Sequence, residues 1–146
     1  MSDDDRMDVP KVLELLTKAI PLQMRSTMQL AWVAGSAVGV EFQSIAVKFD
    51  EFSQAELHDT RRLMEKMTAL GGTPPTEAAP LEAIPSSVEG VERLIELENE
   101  ALDALHAIIP ATGQEARSEA LEHLLEHLIM RKQHQIDFLL RAARAS

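Results

Sequence analysis

Apolar residues recur in alternating steps of three and four along residues 121–140, where Leu121, Leu125 and Leu128 open a seam that continues through Lys132 and Gln135 to Leu139. That spacing predicts one face of an α-helix. Two polar residues therefore stand in the middle of a core stripe. A break facing solvent would not return to leucine on schedule, so the pattern predicts either buried, partnered polar groups or a site hidden on the helix face.

Three earlier stretches carry the same interruption. A first helix is predicted to start at Asp8 ahead of Pro10, a residue tolerated in a first turn. Its seam is Leu13, Leu16, Ile20, Gln23, Thr27, Leu30 and Ala34, with Gln23 in the middle. Pro21 lies inside it and removes a backbone hydrogen bond, which predicts a kink or local break just before Gln23. Gly35 and Gly39 mark a reversal. The second helix follows Phe42, Ile45, Phe49, Phe52, Glu56, Asp59, Leu63, Met67 and Leu70, and Gly71 and Gly72 end it. Glu56 and Asp59, three apart, point the same way between apolar residues that belong in the core.

Residues 73–87 hold four of the seven prolines and are predicted to form a long crossover. Ser86 with Glu89 reads as a capping box for a third helix with the seam Val88, Val91, Ile95, Glu98, Leu102, Leu105 and Ile109. After Pro110 and Gly113, Thr112 with Glu115 reads as a second capping box, and the fourth helix is expected to run to about Ala143. Two short connections and one long middle connection predict an all-α four-helix bundle, with the crossover between the second and third helices. The whole chain, 1–146, is expected to be one domain, with residues 1–9 a flexible acidic start. Gln23, Glu56, Asp59, Glu98, Lys132 and Gln135 then meet at one level inside it.

Composition narrows the function. A chain of 146 residues with 45% apolar content can bury a core. Its formal charge of -10 argues against nucleic acid or an anionic membrane as partner. With no cysteine, disulfides, thiolate metal sites and cysteine nucleophiles are excluded. No run of about 18 apolar residues is present and the start is acidic, so a cytoplasmic protein without a membrane partner is expected.

The segments Gln23-Met-Arg-Ser-Thr-Met-Gln-Leu, Glu56-Leu-His-Asp with the following Arg62-Leu-Met-Glu and Ala69-Leu-Gly-Gly-Thr-Pro, Glu98-Asn-Glu-Ala, and Gln135-Ile-Asp-Phe-Leu resemble the bacterioferritins and their ferritin-like relatives over nearly the whole chain. The resemblance implies a ferritin-like bundle that handles iron. It also implies a di-iron carboxylate site, with one Glu from each of two helices and a Glu-x-x-His pair from each of the other two. Glu56 and Glu98 stand at family glutamate positions and are carried over as metal ligands. Asp59 stands at a histidine position, Gln23 at a glutamate position, and Lys132 and Gln135 replace the glutamate and histidine of the fourth helix. Leu57 replaces the methionine that ligates haem between subunits, so no haem is expected. Bacterioferritins continue into a short fifth helix, whereas this chain ends at Ser146; a homodimer through the outer faces of the first two helices is expected rather than a closed cage.

Charge separates the remaining readings. Four glutamates balance two divalent ions, but Glu56, Asp59 and Glu98 with Lys132 leave a formal -2. The interior then holds one iron ion on Glu56, Asp59 and Glu98, with ferroxidase-type activity only in that case. Otherwise it holds no metal, and Lys132 is paired to a carboxylate in a network that leaves the bundle a structural or binding partner. His123, His127 and His134, with Met130, make an outward stripe on the fourth helix. It is either a surface transition-metal site or a solvated or inter-subunit face. His58 and His106 read as surface or supporting residues. The seven methionines read as adaptable core filler. No phosphate loop, nucleophile elbow or zinc-protease pattern is present.

Overall fold

The computed structural model describes residues 6–144. It is an all-α bundle of α1 (Val9–Ser36), α2 (Val40–Ala69), α3 (Val88–His106) and α4 (Ala116–Ala143), with a 3-10 turn at Ile109–Ala111. Residues 73–87 cross between α2 and α3, as expected. The first five residues of the acidic start lie outside the described residues; beyond them Met7 is buried and Asp8 caps α1 by accepting from the Lys11 N–H. α1 packs mainly along α2 and α3 along α4, α1 also meets α3, and the contact between α2 and α4 is slight.

Local chemistry sets the ends. Gly71 has φ +92, where a side chain would be strained, and the Gly71 and Gly72 amides donate to the Thr68 and Met67 carbonyls. The last carbonyls of α2 are thereby satisfied. The cap of α3 is Ser87, accepting from the Gly90 N–H, rather than Ser86. Ser86 accepts instead from the Val38 N–H and ties the crossover to the α1–α2 turn. Nor does Thr112 cap α4: Glu115 holds that place without a side-chain cap bond, and the Thr112 hydroxyl donates to the Ile109 carbonyl. α1 runs unbroken through Pro21, whose carbonyl accepts from the Ala79 N–H of the crossover at 3.0 Å.

The crossover is pinned a second time. The Gln29 amide donates to the Glu82 carbonyl and accepts from the Glu82 N–H, at 2.9 and 2.8 Å, pairing with the backbone as a strand would. Arg93 of α3 grips the Glu82 carboxylate with two N–H groups.

Apolar packing falls into two clusters. One joins Leu16, Ile20, Leu63, Met67, Leu105, Leu121, Leu125 and Leu128; the other joins Leu30, Val33, Phe49, Phe52, Val91, Leu94, Leu97 and Leu139. On every helix the polar interruption lies between the two. On α3 the buried face is rotated from the expected seam: Leu94, Leu97 and Ala101 are buried, while Val88 is exposed and Ile95 and Leu102 are only partly covered; past its end Ile108 is buried and Ile109 partly covered. Apolar residues occupy adjacent places on this helix, so a shift of one position leaves the three-four rhythm intact.

Candidate functional site

Each helix delivers its polar residue because the apolar positions above and below it anchor the same face. Gln23, Glu56, Asp59, Glu98, Lys132 and Gln135 are all no more than 2% exposed. Lys132 is the centre. Its Nζ donates to Glu56 Oε2 at 3.0 Å, to Glu98 Oε2 at 2.9 Å and to Ser26 Oγ at 3.1 Å, which uses all three ammonium protons. The Gln23 amide donates to Glu56 Oε2 at 2.7 Å, and the Ser26 hydroxyl donates to Glu98 Oε1. All four helices thus share one hydrogen-bonded network. Beneath it Thr60 donates to the Glu56 carbonyl, Thr27 to the Gln23 carbonyl and Ser53 to the Thr27 carbonyl.

The electrostatics follow from two carboxylates around one ammonium. Burial by itself would push the Lys132 pKa down, but Glu98 and Glu56 together outweigh it and hold the value above that of an ordinary lysine. Burial pushes the Glu56 pKa up and the Glu98 charge adds to this, while the Lys132 ammonium and the Gln23 amide offset only part of it. The network therefore sets two carboxylates against one ammonium, a formal excess of one negative charge.

The structure brings Gln23, Glu56, Glu98 and Lys132 together and sets Asp59 and Gln135 apart from that network. Asp59 Oδ2 lies 3.4 Å from Arg131 Nε on α4, and Asp59 Oδ1 has no protein partner. Burial raises the Asp59 pKa despite the opposing charges of Arg131, His127, His58 and Arg62. The side-chain oxygens of Gln23 and Gln135 also lack protein donors. Among the described residues no three His, Cys, Asp or Glu side chains stand close enough together to hold a metal ion.

On the outer face of α4, His123, His127 and His134 are exposed with Met130. They do not converge on one acceptor: His123 lies 3.7 Å from Glu126, whereas His127 Nε2 lies 2.9 Å from an Arg131 guanidinium nitrogen. His58 and His106 are exposed. Sequence reasoning missed Ser26 and Arg131. Ser26 lies three residues after Gln23, so on the same side of α1, but the seam was drawn through its neighbour Thr27; nothing in the spacing marks Arg131 as the partner of Asp59.

A family model described as the ferritin-like domain matches residues 13–144. Solved structures with the same fold include a ferritin-like diiron-carboxylate protein from Bacillus anthracis str. Ames, at 21% identity and TM-score 0.86, covering 99% of this chain and 100% of that one. The bacterioferritin of Desulfovibrio desulfuricans matches at 18% identity and TM-score 0.81, over 92% of this chain and 79% of its own. A bacterioferritin-related protein from Bacteroides fragilis, described as a dodecameric thioferritin, matches at 16% identity and TM-score 0.81, over 94% and 86% of the two chains. No curated protein matches. At these identities the structural likeness is one of fold.

Proposed function

The chain belongs to the ferritin-like domain family, and we propose that its interior has exchanged the metal of a di-iron carboxylate site for the ammonium of Lys132. The observation that carries this reading is the placement of Lys132 Nζ within 3.0 Å of both Glu56 and Glu98. A cation bridging those two carboxylates would have to displace a fixed positive charge that is already hydrogen-bonded to both. Gln23 adds a donor rather than a negative ligand. Glu98 and Glu56 are committed to Lys132, Ser26 and Gln23, so this donor set does not fit a dinuclear iron centre. On this reading the bundle has no ferroxidase role and serves as a structural or binding partner.

The proposed assembly is a homodimer through the outer face of α1 and α2. It is supported by the concentration of exposed apolar side chains there, with Met28 52%, Trp32 38%, Val47 65% and Leu57 62% exposed. We assign the protein to the cytoplasm; it has no cysteine, and among the described residues no helix is long and apolar enough to cross a membrane.

A second reading keeps one iron ion on Glu56, Asp59 and Glu98. One observation favours it: Asp59 Oδ1 is a buried carboxylate oxygen without a protein donor. Elemental analysis of protein purified from iron-supplemented cells separates the two. The Lys132 reading expects no bound iron, about one iron per chain supports the second, and about two per chain, the family's dinuclear count, contradicts both.

A further inference from the structure

In a chain with 24 acidic side chains against 14 basic ones, a helix cation without a carboxylate partner is an anomaly. Lys11, Lys18, Arg25, Lys48, Arg61 and Arg93 each stand within 3.6 Å of a carboxylate oxygen. Arg62 and Lys66 lie one turn apart on one face of α2 and make no ion pair among the described residues. Both are partly covered, and both line a cavity of about 340 Å³ between α2 and α4. Helix capping does not occupy Lys66, because the last carbonyls of α2 already accept from the Leu70, Gly71 and Gly72 amides.

The cavity opens where α2 and α4 touch only slightly. Leu124 forms its α4 wall, and Ala69 adds a second apolar side chain. Glu119, Glu122 and Glu126 fall about 140–160° round α4 from Leu124, on the far side of that helix. Glu65, the carboxylate on the lining, is turned to Arg61 at 3.4 Å. Farther along the seam Arg131 and His127 come from α4, and with Arg62 they lie close enough to Asp59 to oppose the rise in its pKa. Arg131 already meets the Asp59 charge, so Arg62 and Lys66 remain the uncompensated pair. Lys66 is nine residues from Leu57, about two and a half turns, and so lies on the side of α2 opposite the proposed pairing face.

We propose that this cleft binds a phosphate-class oxyanion, either free phosphate or a phosphomonoester, between the Arg62 guanidinium and the Lys66 ammonium. A dianion matches two positive charges, the planar guanidinium offers paired N–H donors to two oxygens, and the ammonium adds a point charge. A carboxylate matches only one of the two. The apolar surface of Leu124 and Ala69 gives an organic group on the anion something to lie against. The inference does not rest on the interior reading, because neither Lys132 nor Glu98 lines the cleft.

The test is isothermal titration calorimetry of the full chain at low ionic strength with inorganic phosphate, phenyl phosphate and acetate. One site per chain is expected for the phosphates, with acetate about 10-fold weaker or more. Arg62→Gln and Lys66→Gln are each expected to weaken phosphate binding about 10-fold, and the double variant about 100-fold, with helical content unchanged. Lys48→Gln, at an exposed position on the same helix, is expected to have no effect. Tighter binding of phenyl phosphate identifies a phosphomonoester as the ligand, and equal affinity identifies free phosphate. Wild-type affinity in the double variant would overturn the assignment, as would acetate binding as tightly as phosphate or no binding of either phosphate.

Discussion

Glu56 and Asp59 stand one helical turn apart on α2, both buried, and meet opposite solutions to the same problem. Glu56 faces a fully enclosed ammonium that four helices hold in place, with Lys132 Nζ at 3.0 Å and Gln23 at 2.7 Å. Asp59 faces the slight α2–α4 seam, where a guanidinium whose side chain is 33% exposed approaches to 3.4 Å and leaves one carboxylate oxygen without a protein partner. The first carboxylate belongs to a closed network whose members depend on one another; the second is held loosely by a screened partner. A bundle can therefore concentrate its electrostatic commitment in one residue, Lys132, while a neighbouring acid of similar burial contributes little.

The largest expected break in that comparison is Lys132→Met. It leaves Glu56 and Glu98 facing each other in a dry core, and the loss is about 3–5 kcal/mol by thermal or denaturant unfolding. The pH dependence carries a sign. The raised Lys132 pKa means that its contribution is fully present below the ordinary lysine value of 10.5 and is lost only as pH climbs through the higher folded value. Glu56, raised above its ordinary 4.5, favours the fold when protonated, and that contribution is lost as pH rises. The Lys132→Met variant should therefore melt higher at pH 5 than at pH 8, with its deficit from the wild type widest on the alkaline side of neutrality. A deficit independent of pH would remove the charge argument.

Arg131→Met sharpens the contrast from the other side. Because the guanidinium is partly exposed and Asp59 can accept a proton, the expected cost is only about 1 kcal/mol in the same unfolding measurement. A cost equal to that of Lys132→Met would make the two acids equivalent. The smallest effect is expected from Asp59→Asn, which keeps the shape and removes a charge that burial penalises. Its stability should stay within about 0.5 kcal/mol of the wild type, and a large loss would show that Asp59 has an essential partner.

The level at which these groups meet was legible because α2 and α4 carry leucines and phenylalanines strictly on either side of their polar residues. The seam through Leu121, Leu125, Leu128, Lys132, Gln135 and Leu139 is buried at every position. α3 was less legible, since Leu94 beside Ile95 and Ala101 beside Leu102 allow the face to be drawn one position away. Spacing placed Asp59 with Glu56 but could not show that α4 presents Arg131 to one and Lys132 to the other. That depends on how slightly α2 and α4 touch, a tertiary property. The Gln29 clamp on Glu82 was invisible for the same reason, because a glutamine on a helix does not announce a backbone partner 53 residues away.

The central claim, that residue 132 supplies the interior cation, is tested most directly by anaerobic equilibrium dialysis of Fe(II) against the wild type and a K132E/Q135H variant. The account predicts negligible iron on the wild type and clear uptake by the variant, whose fourth helix regains a glutamate and a histidine ligand. Stoichiometric Fe(II) on the wild type, or no gain in the variant, would contradict it.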